Sequence, residues 1–343
     1  MKKLFLLLVL MFLPILLISL WMNGMEEEVI PLSEQGKLSL NDPASMKTAY
    51  LSELLSYQPE IVLLGNSMLG RGVNHNLLQS IFKRKISKFA IGGTSSRWWY
   101  LMTKNVIAKS DPPPKALVLF FRDQFLTNPK YRLNSANQLM NKYFYEGEEP
   151  LIQELSYDAA SVMYQQIPLY DKKHLVNQKI TDGIKNVTRK TARISPKRLT
   201  VALDKSFDES KMIEELITAQ QLEAAKIRNN NLLDFDNQID RSFLPHIIEL
   251  TKDAGIQLIL VRTKRRSAVL GKPENPLLTE YIEGLNTYLK QQKVPLMDYT
   301  QHEQITLSMY AEGDHLSEEG MNRFTQKIFS KDLEALLKEL KLD

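Results

Sequence analysis

The stretch Ile61–Gly70 reads IVLLGNSMLG, four large apolar residues followed by a Gly-Asn-Ser triplet. An apolar run without alternation is typical of a strand that is buried on both faces of a parallel sheet. In open α/β folds, the residues that follow the carboxyl ends of such strands usually line the ligand site. Ser67 is therefore either a nucleophile or a turn residue, and the rest of the chain has to supply a base, an acid and an oxyanion site for the first interpretation.

Before residue 128 and after residue 236, apolar segments that predict strands alternate with segments that predict helices. Further strands are predicted at Ser87–Ile91, Lys115–Phe121, Ile256–Val261 and Pro295–Asp298. Helices are predicted at Met46–Tyr57, Asn76–Arg84, Arg97–Ala108, Phe243–Ala254, Pro276–Gln291 and Ser317–Leu337. This alternation predicts an α/β fold with a doubly wound, flavodoxin-like parallel sheet.

The periodicity weakens between residues 128 and 236. We therefore expect an α/β domain made of residues 58–127 and 237–343, interrupted by a mostly helical insertion at 128–236. The alternative is that the interruption forms a small domain of its own. Residues 24–57 are expected to be a linker and a lead-in helix.

The first 23 residues predict a membrane anchor. Lys2 and Lys3 precede Leu4–Met22, which carries no charge, and Glu26–Glu28 follow it. About 20 apolar helical residues span a bilayer, and lysines before the run place the N-terminus in the cytoplasm. A cleaved signal peptide is the alternative, although bulky residues stand where its small-residue cleavage site is expected. We expect a membrane-anchored protein that is extracytoplasmic beyond the anchor, or a secreted one if the segment is cleaved.

The composition excludes several classes of chemistry. Among 343 residues, 44 Lys and Arg face 40 Asp and Glu, and a net charge of +4 is too mild to imply a nucleic-acid partner. The chain has no cysteine, which rules out disulfides and thiolate catalysis. Its five histidines are scattered without metal-ligand spacing, and no glycine-rich phosphate loop is present. We expect neither a metal nor a cofactor.

A second motif, YAEGDHLSEEG at Tyr310–Gly320, lies between the last short strand and the final helix. It contains His315, with Glu312 three residues upstream and Asp314 beside it. A histidine in this setting can turn one ring nitrogen to a carboxylate and the other to a serine. Ser317 is predicted to cap the final helix.

These two motifs resemble those of the SGNH (GDSL-type) hydrolases. The family has a G-D-S-like block after its first core strand and a D-x-x-H block before its last helix. The resemblance covers residues 60–123 and 240–335 of this chain. It implies an α/β fold and a serine-dependent acyl-ester chemistry.

The resemblance also implies roles for individual residues. Ser67 matches the nucleophile and His315 the general base. Glu312 stands at the acid position, where the family usually has Asp, and Asp314 is the reserve candidate. Direct adjacency to the histidine makes the orienting hydrogen bond harder for Asp314. Backbone N–H groups of Ser67 and of Gly92 or Gly93 are expected to form the oxyanion site.

The third block departs from the family pattern. Where the family has Gly-x-Asn after its third strand, this chain has FRDQ at residues 121–124. An ionised Asp123 would repel an oxyanion. Either Arg122 or Gln124 replaces the missing amide, or Asp123 orients another group, or the site is weakened.

The function expected from these observations is a serine esterase or O-acyltransferase that works through an acyl-Ser67 intermediate. Anchored, extracytoplasmic relatives resemble enzymes that add or remove O-acyl groups on cell-surface polysaccharides, so an envelope glycan is the expected substrate class. One alternative is a weakly active or inactive partner in envelope polymer assembly. Another is a lipase or thioesterase.

Overall fold

The computed structural model of the chain describes residues 43–128, 144–156, 233–271, 273–311 and 313–342. They belong to one compact unit, made of residues 30–156 and 230–343. None of the helices within these ranges is long and apolar enough to cross a membrane. The predicted anchor at residues 1–23 and most of the predicted insertion lie outside the described residues.

Five parallel strands form the sheet of the described unit. They are β1 (Ile61–Gly65), β2 (Ile86–Ala90), β3 (Ala116–Phe121), β4 (Gln257–Arg262) and β5 (Leu296–Asp298). Their order across the sheet is β2-β1-β3-β4-β5. This is the flavodoxin-like order of doubly wound folds, in which the switch point lies between β1 and β3. The predicted α/β fold class is confirmed for the described residues.

Helices follow and cover the strands. In the first part of the chain they are α1 (Pro43–Tyr57), α2 (Ser67–Gly70), α3 (His75–Phe82), α4 (Ser96–Met102, continued by a π-helical segment Thr103–Ile107) and α5 (Glu149–Ser156). In the second part they are α6 (Phe235–Ile239), α7 (Leu244–Asp253), α8 (Arg266–Val269), α9 (Pro276–Gln292), a 3-10 turn Leu307–Met309, α10 (Glu318–Phe324), a π-helical segment Thr325–Phe329, and α11 (Ser330–Glu339).

The central strands are buried as their composition predicts. Every residue of β1 and of β3 is buried, because helices cover both faces of a parallel sheet. The predicted boundaries of the strands and long helices agree with the observed ones to within one or two residues, which is the ordinary uncertainty of helix and strand ends, except that α1 begins at Pro43, three residues before the predicted Met46.

The C-terminal helical segment covers β1, β3 and β4. Phe329 contacts Phe120 of β3 edge to face, with the ring centroids 5.3 Å apart. Leu333 and Leu337 belong to the same apolar cluster as Ile61 and Val118. Because the C-terminal helices pack on these central strands, the loop before α10 returns from the edge strand β5 towards β1.

Candidate active site

Ser67 is the first residue of α2 and follows β1 after a single turn residue. Gly65 permits the close approach that this turn needs, since an added Cβ there would lie 3.0 Å from the Cβ atoms of Leu69 and Phe120. Asn66 caps α2: its side-chain oxygen accepts from the Met68 N–H at 2.9 Å. A strand, a glycine and a cap therefore hold the serine at the carboxyl end of the sheet.

Asn66 also connects this turn to the loop after β2. Its side-chain nitrogen donates to the Thr94 carbonyl at 3.3 Å, and the side chain is almost fully buried. Sequence reasoning overlooked Asn66. Its position between a glycine and a helix start is typical of a capping residue and was the available signal.

His315 lies in a short loop that is closed by backbone hydrogen bonds. Tyr310 and Leu316 form an antiparallel bridge. The Ala311 N–H donates to the His315 carbonyl at 2.9 Å, and the Ser317 N–H donates to the Met309 carbonyl at 2.9 Å. The loop is thereby fixed to the 3-10 turn before it.

Ser317 and Gly320 seat this loop on α10. The Ser317 hydroxyl accepts from the Gly320 N–H at 3.0 Å, which is the capping contact expected from the sequence. A Cβ at Gly320 would lie 2.0 Å from the Met309 carbonyl oxygen. Only glycine allows the helix to approach the 3-10 turn this closely.

The two predicted residues, which are 248 positions apart in the chain, meet here. The His315 Nε2 lies 3.0 Å from the Ser67 Oγ, within hydrogen-bond distance. A nucleophile and a base that work together require this geometry. The serine is thus a turn residue that also faces an imidazole.

Of the two candidate acids, only Asp314 is among the residues that the structure describes. Glu312 lies outside the described residues, so its role stays a prediction. Asp314 accepts from the Arg266 N–H at 2.8 Å through one oxygen, and its other oxygen pairs with the Arg122 guanidinium. Both Asp314 oxygens are therefore occupied by groups other than the imidazole.

The residues of the third block, 121–124, differ in their partners and positions. Asp123 is 2% exposed, and its carboxylate accepts from the Arg265 Nε at 2.8 and 2.9 Å. Neither Asp123 nor Gln124 lines the pocket that contains Ser67. Asp123 is bound by Arg265 instead of facing the serine, and the expected oxyanion or substrate role of Asp123 and Gln124 stays a prediction. The Asp123–Arg265 pair was not predicted.

Arg122 is the member of the block that reaches the pocket. It pairs with Asp314, and its Nε lies 3.2 Å from the Asp123 Oδ2. Its guanidinium carbon lies 5.5 Å from the centre of the Phe125 ring, a cation–π distance. Two carboxylates and one ring therefore surround this cation.

The pocket around Ser67 has a volume of about 400 Å³. It is lined by Asn66, Ser67, Met68, Arg71, Gly93, Arg122, Phe125, Gly313, Asp314 and His315. Large apolar side chains are few among these described residues, and polar or charged groups make most of the wall.

The predicted oxyanion glycines lie near the serine. Gly93 lines the pocket and has a φ of +78°, a conformation that favours glycine. An added Cβ at Gly92 would lie 3.8 Å from the Ser67 Cβ. The loop after β2 therefore passes directly beside the candidate nucleophile.

A metal site was not expected. Within the part of the chain that the structure describes, no group of three or more acidic or histidine side chains is placed to hold a metal ion.

No family model matches the chain, and no curated protein matches it. Among solved structures, it is similar to a GDSL-like lipase from Bacteroides thetaiotaomicron, at 12% identity and a TM-score of 0.40, over 87% of this chain and 96% of that one.

Proposed function

We propose that this protein is a serine esterase or O-acyltransferase in which Ser67 is the nucleophile and His315 the general base. The observation that supports the proposal is the 3.0 Å distance between the Ser67 Oγ and the His315 Nε2. Both atoms belong to residues that line one pocket at the carboxyl end of the sheet. This edge is where doubly wound folds bind their ligands.

The reaction has two steps. The Ser67 oxygen forms a bond to the ester carbonyl carbon while its proton passes to His315, and the ester C–O bond then breaks as the alcohol takes that proton. In the second step, water or an acceptor hydroxyl gives its proton to His315 and bonds to the acyl carbon. The bond to Ser67 then breaks, and the proton returns to the serine.

The oxyanion of each tetrahedral intermediate needs donors in the pocket. We assign this role to the Ser67 N–H, to the loop at Gly92 and Gly93, and to the Arg122 guanidinium in place of the family's amide. Arg122 is suited to the role because it carries a permanent charge and is held by Asp314 and Asp123. One such donor typically contributes about 2.7–4 kcal/mol to transition-state stabilisation.

Glu312 is the acid that we assign to the imidazole. Asp314 is the less favoured acid because each of its oxygens already has a partner, Arg122 or the Arg266 N–H. A glutamate three residues before the histidine stands where the sequence motif predicts the acid.

The substrate class follows from the N-terminus and from the pocket. An uncharged run preceded by lysines would hold the enzyme at the outer face of the membrane, where envelope glycans are found. The polar wall of the pocket suits an O-acylated sugar better than a long acyl chain. In the described part of the pocket, Met68 and Phe125 are the only large apolar side chains.

An inactive partner in envelope assembly remains the second candidate. The observation that favours it is the replacement of Gly-x-Asn by FRDQ at residues 121–124, which removes the family's side-chain amide from the end of β3. This candidate predicts no ester turnover despite the paired serine and histidine.

The test is turnover of p-nitrophenyl acetate by the full-length protein in a non-ionic detergent. We expect turnover that falls by at least about 10³-fold in Ser67→Ala and in His315→Ala, because the two residues act as one unit. Ser80→Ala, an exposed serine on α3, is the matched control and should retain full activity. Hydroxamate formation on adding hydroxylamine would report the acyl-enzyme. Turnover that survives both active-site substitutions would contradict the proposal.

A further inference from the structure

Arg71 lies one helical turn after the candidate nucleophile. Its N–H donates to the Ser67 carbonyl at 2.9 Å, which closes the last turn of α2. Side chains four residues apart project from the same face of a helix, and helical side chains lean towards the N-terminal end. The Arg71 side chain accordingly lines the same pocket as Ser67 and His315.

The charges of the described residues that line the pocket do not balance. The ionisable groups among them are Arg71, Arg122, Asp314 and His315. Asp314 pairs with Arg122. No carboxylate among the described residues forms an ion pair with Arg71, which is exposed. One guanidinium is therefore left to face the pocket.

Two other arginines, Arg262 and Arg265, have acidic partners among the described residues, unlike Arg71. Arg262 pairs with Asp298 and Glu274, and Arg265 pairs with Asp123. These cations are bound by protein acids and are unavailable to a ligand. Arg71 differs from them in lining the pocket without such a partner in the described structure.

We propose that Arg71 binds an anionic group of the substrate, so that the preferred substrates are acyl esters carrying a phosphate or a carboxylate next to the scissile bond. The proposal rests on the proposed esterase function. A guanidinium binds either anion through two parallel N–H···O hydrogen bonds. Such a contact would hold the ester carbonyl beside Ser67 and would select among acylated envelope polymers by their charge.

The experiment compares three acetates that share the acyl group and differ in charge. They are 2-acetoxyethyl phosphate, 3-acetoxypropanoate and the neutral 2-methoxyethyl acetate. Acetate release by the full-length protein gives kcat/KM for each. We expect at least one anionic ester to exceed the neutral one by about 10- to 100-fold, the range of a charge-assisted contact.

Two substitutions test the residue itself. Arg71→Gln should bring the ratio of anionic to neutral kcat/KM close to one, and Arg71→Lys should retain part of the preference because it keeps the charge but not the bidentate geometry. Arg241→Gln, an exposed arginine outside the pocket, is the matched control and should leave the ratio unchanged. Raising the salt to 1 M should also lower the preference, since the screening length falls to about 3 Å.

The outcomes separate the two proposals. A preference for either anion that disappears in Arg71→Gln supports the subsite, and the phosphate and carboxylate arms identify which anion it takes. Turnover with a ratio that Arg71→Gln does not change overturns the subsite and leaves the esterase intact.

If none of the three acetates is hydrolysed, the result contradicts the proposed esterase function and does not test the Arg71 subsite. Calorimetric titration with 2-hydroxyethyl phosphate and 3-hydroxypropanoate then decides the subsite. Binding that is lost in Arg71→Gln supports it. Binding that is equal in both proteins, or absent from both, overturns it.

Discussion

At the scale of single residues, the adjacent Arg122 and Asp123 take different places: one lines the pocket and the other is buried. Asp123 is an acid where an oxyanion donor is expected, but Arg265 binds its carboxylate and it does not line the pocket. The adjacent Arg122 lines the pocket instead. A buried carboxylate is tolerated only when it is paired. The ion pair with Arg265 therefore stabilises the Asp123 carboxylate in its buried position.

Arg265→Gln is expected to destabilise the fold. The substitution leaves the Asp123 carboxylate buried with Arg122 as its remaining cationic neighbour. An incompletely satisfied buried group costs about 1–3 kcal/mol, and the free energy of unfolding measured in urea should fall by that amount. Arg241→Gln, an exposed substitution, should change it by less than about 0.5 kcal/mol. Equal stability of the two variants would show that Asp123 does not depend on Arg265.

At the scale of elements, the His315 loop is positioned by the helix that follows it. Gly320 lets α10 pack against the Met309 carbonyl, and Ser317 caps the helix while its N–H holds the same carbonyl. The start of α3 binds α10 from the other side, since Asn74 donates to the Asn322 side chain at 2.8 Å. The position of the imidazole therefore depends on helix packing and not on the loop alone.

Gly320→Ala should disturb that packing. The new methyl group would overlap the Met309 carbonyl oxygen, which is backbone and cannot rotate away. We expect a loss of about 1–3 kcal/mol in the free energy of unfolding. Esterase kcat should fall by about tenfold or more, because small displacements of a catalytic group have large effects on rate.

Gly70→Ala is the control for this prediction. It adds the same methyl group, which would have its nearest neighbour, the Ala90 Cβ, at 3.7 Å, an ordinary contact distance. Stability and kcat that respond alike to the two substitutions would argue against a special role for the close approach at Gly320.

At the scale of the whole molecule, the sheet order brings distant segments together. The loops after β1, β2 and β3 leave neighbouring strands, and the C-terminal helices return the His315 loop across the sheet. The strands and long helices could be predicted because uninterrupted apolar runs and 3.6-residue periodicity report burial directly. The Gly-Asn-Ser turn and the histidine motif could be predicted because both are local in sequence.

Other features could not be predicted from the sequence. The four-residue helices α2 and α8 are too short to show a period. The Asp123–Arg265 and Arg122–Asp314 pairs join residues 142 and 192 positions apart, so they depend on how the elements pack. From the sequence alone, the negative charge of Asp123 predicts repulsion of an oxyanion. The local sequence does not show that Arg265 pairs with this charge.

Global stability should depend on pH through His75, which is half-buried at the start of α3. Burial lowers the pKa of His75 below its ordinary value of 6.5, and the charge of Lys88 lowers it further. The unfolded chain then binds more protons than the folded one, so stability falls as the pH drops below about 7 towards the folded-state pKa.

His75→Gln isolates this contribution from the other histidines. We expect the free energy of unfolding of the original protein to fall more steeply between about pH 7 and pH 5 than that of the variant. Parallel pH profiles from urea titrations would contradict the lowered pKa.

The most direct measurement of the central claim is covalent labelling of Ser67. The full-length protein in detergent is treated with a fluorophosphonate, and peptide mass spectrometry locates the adduct. The paired serine and histidine predict one stoichiometric adduct on Ser67 that is absent in His315→Ala and present in Ser80→Ala. An unlabelled Ser67, or a label on Ser67 that does not depend on His315, would contradict the account.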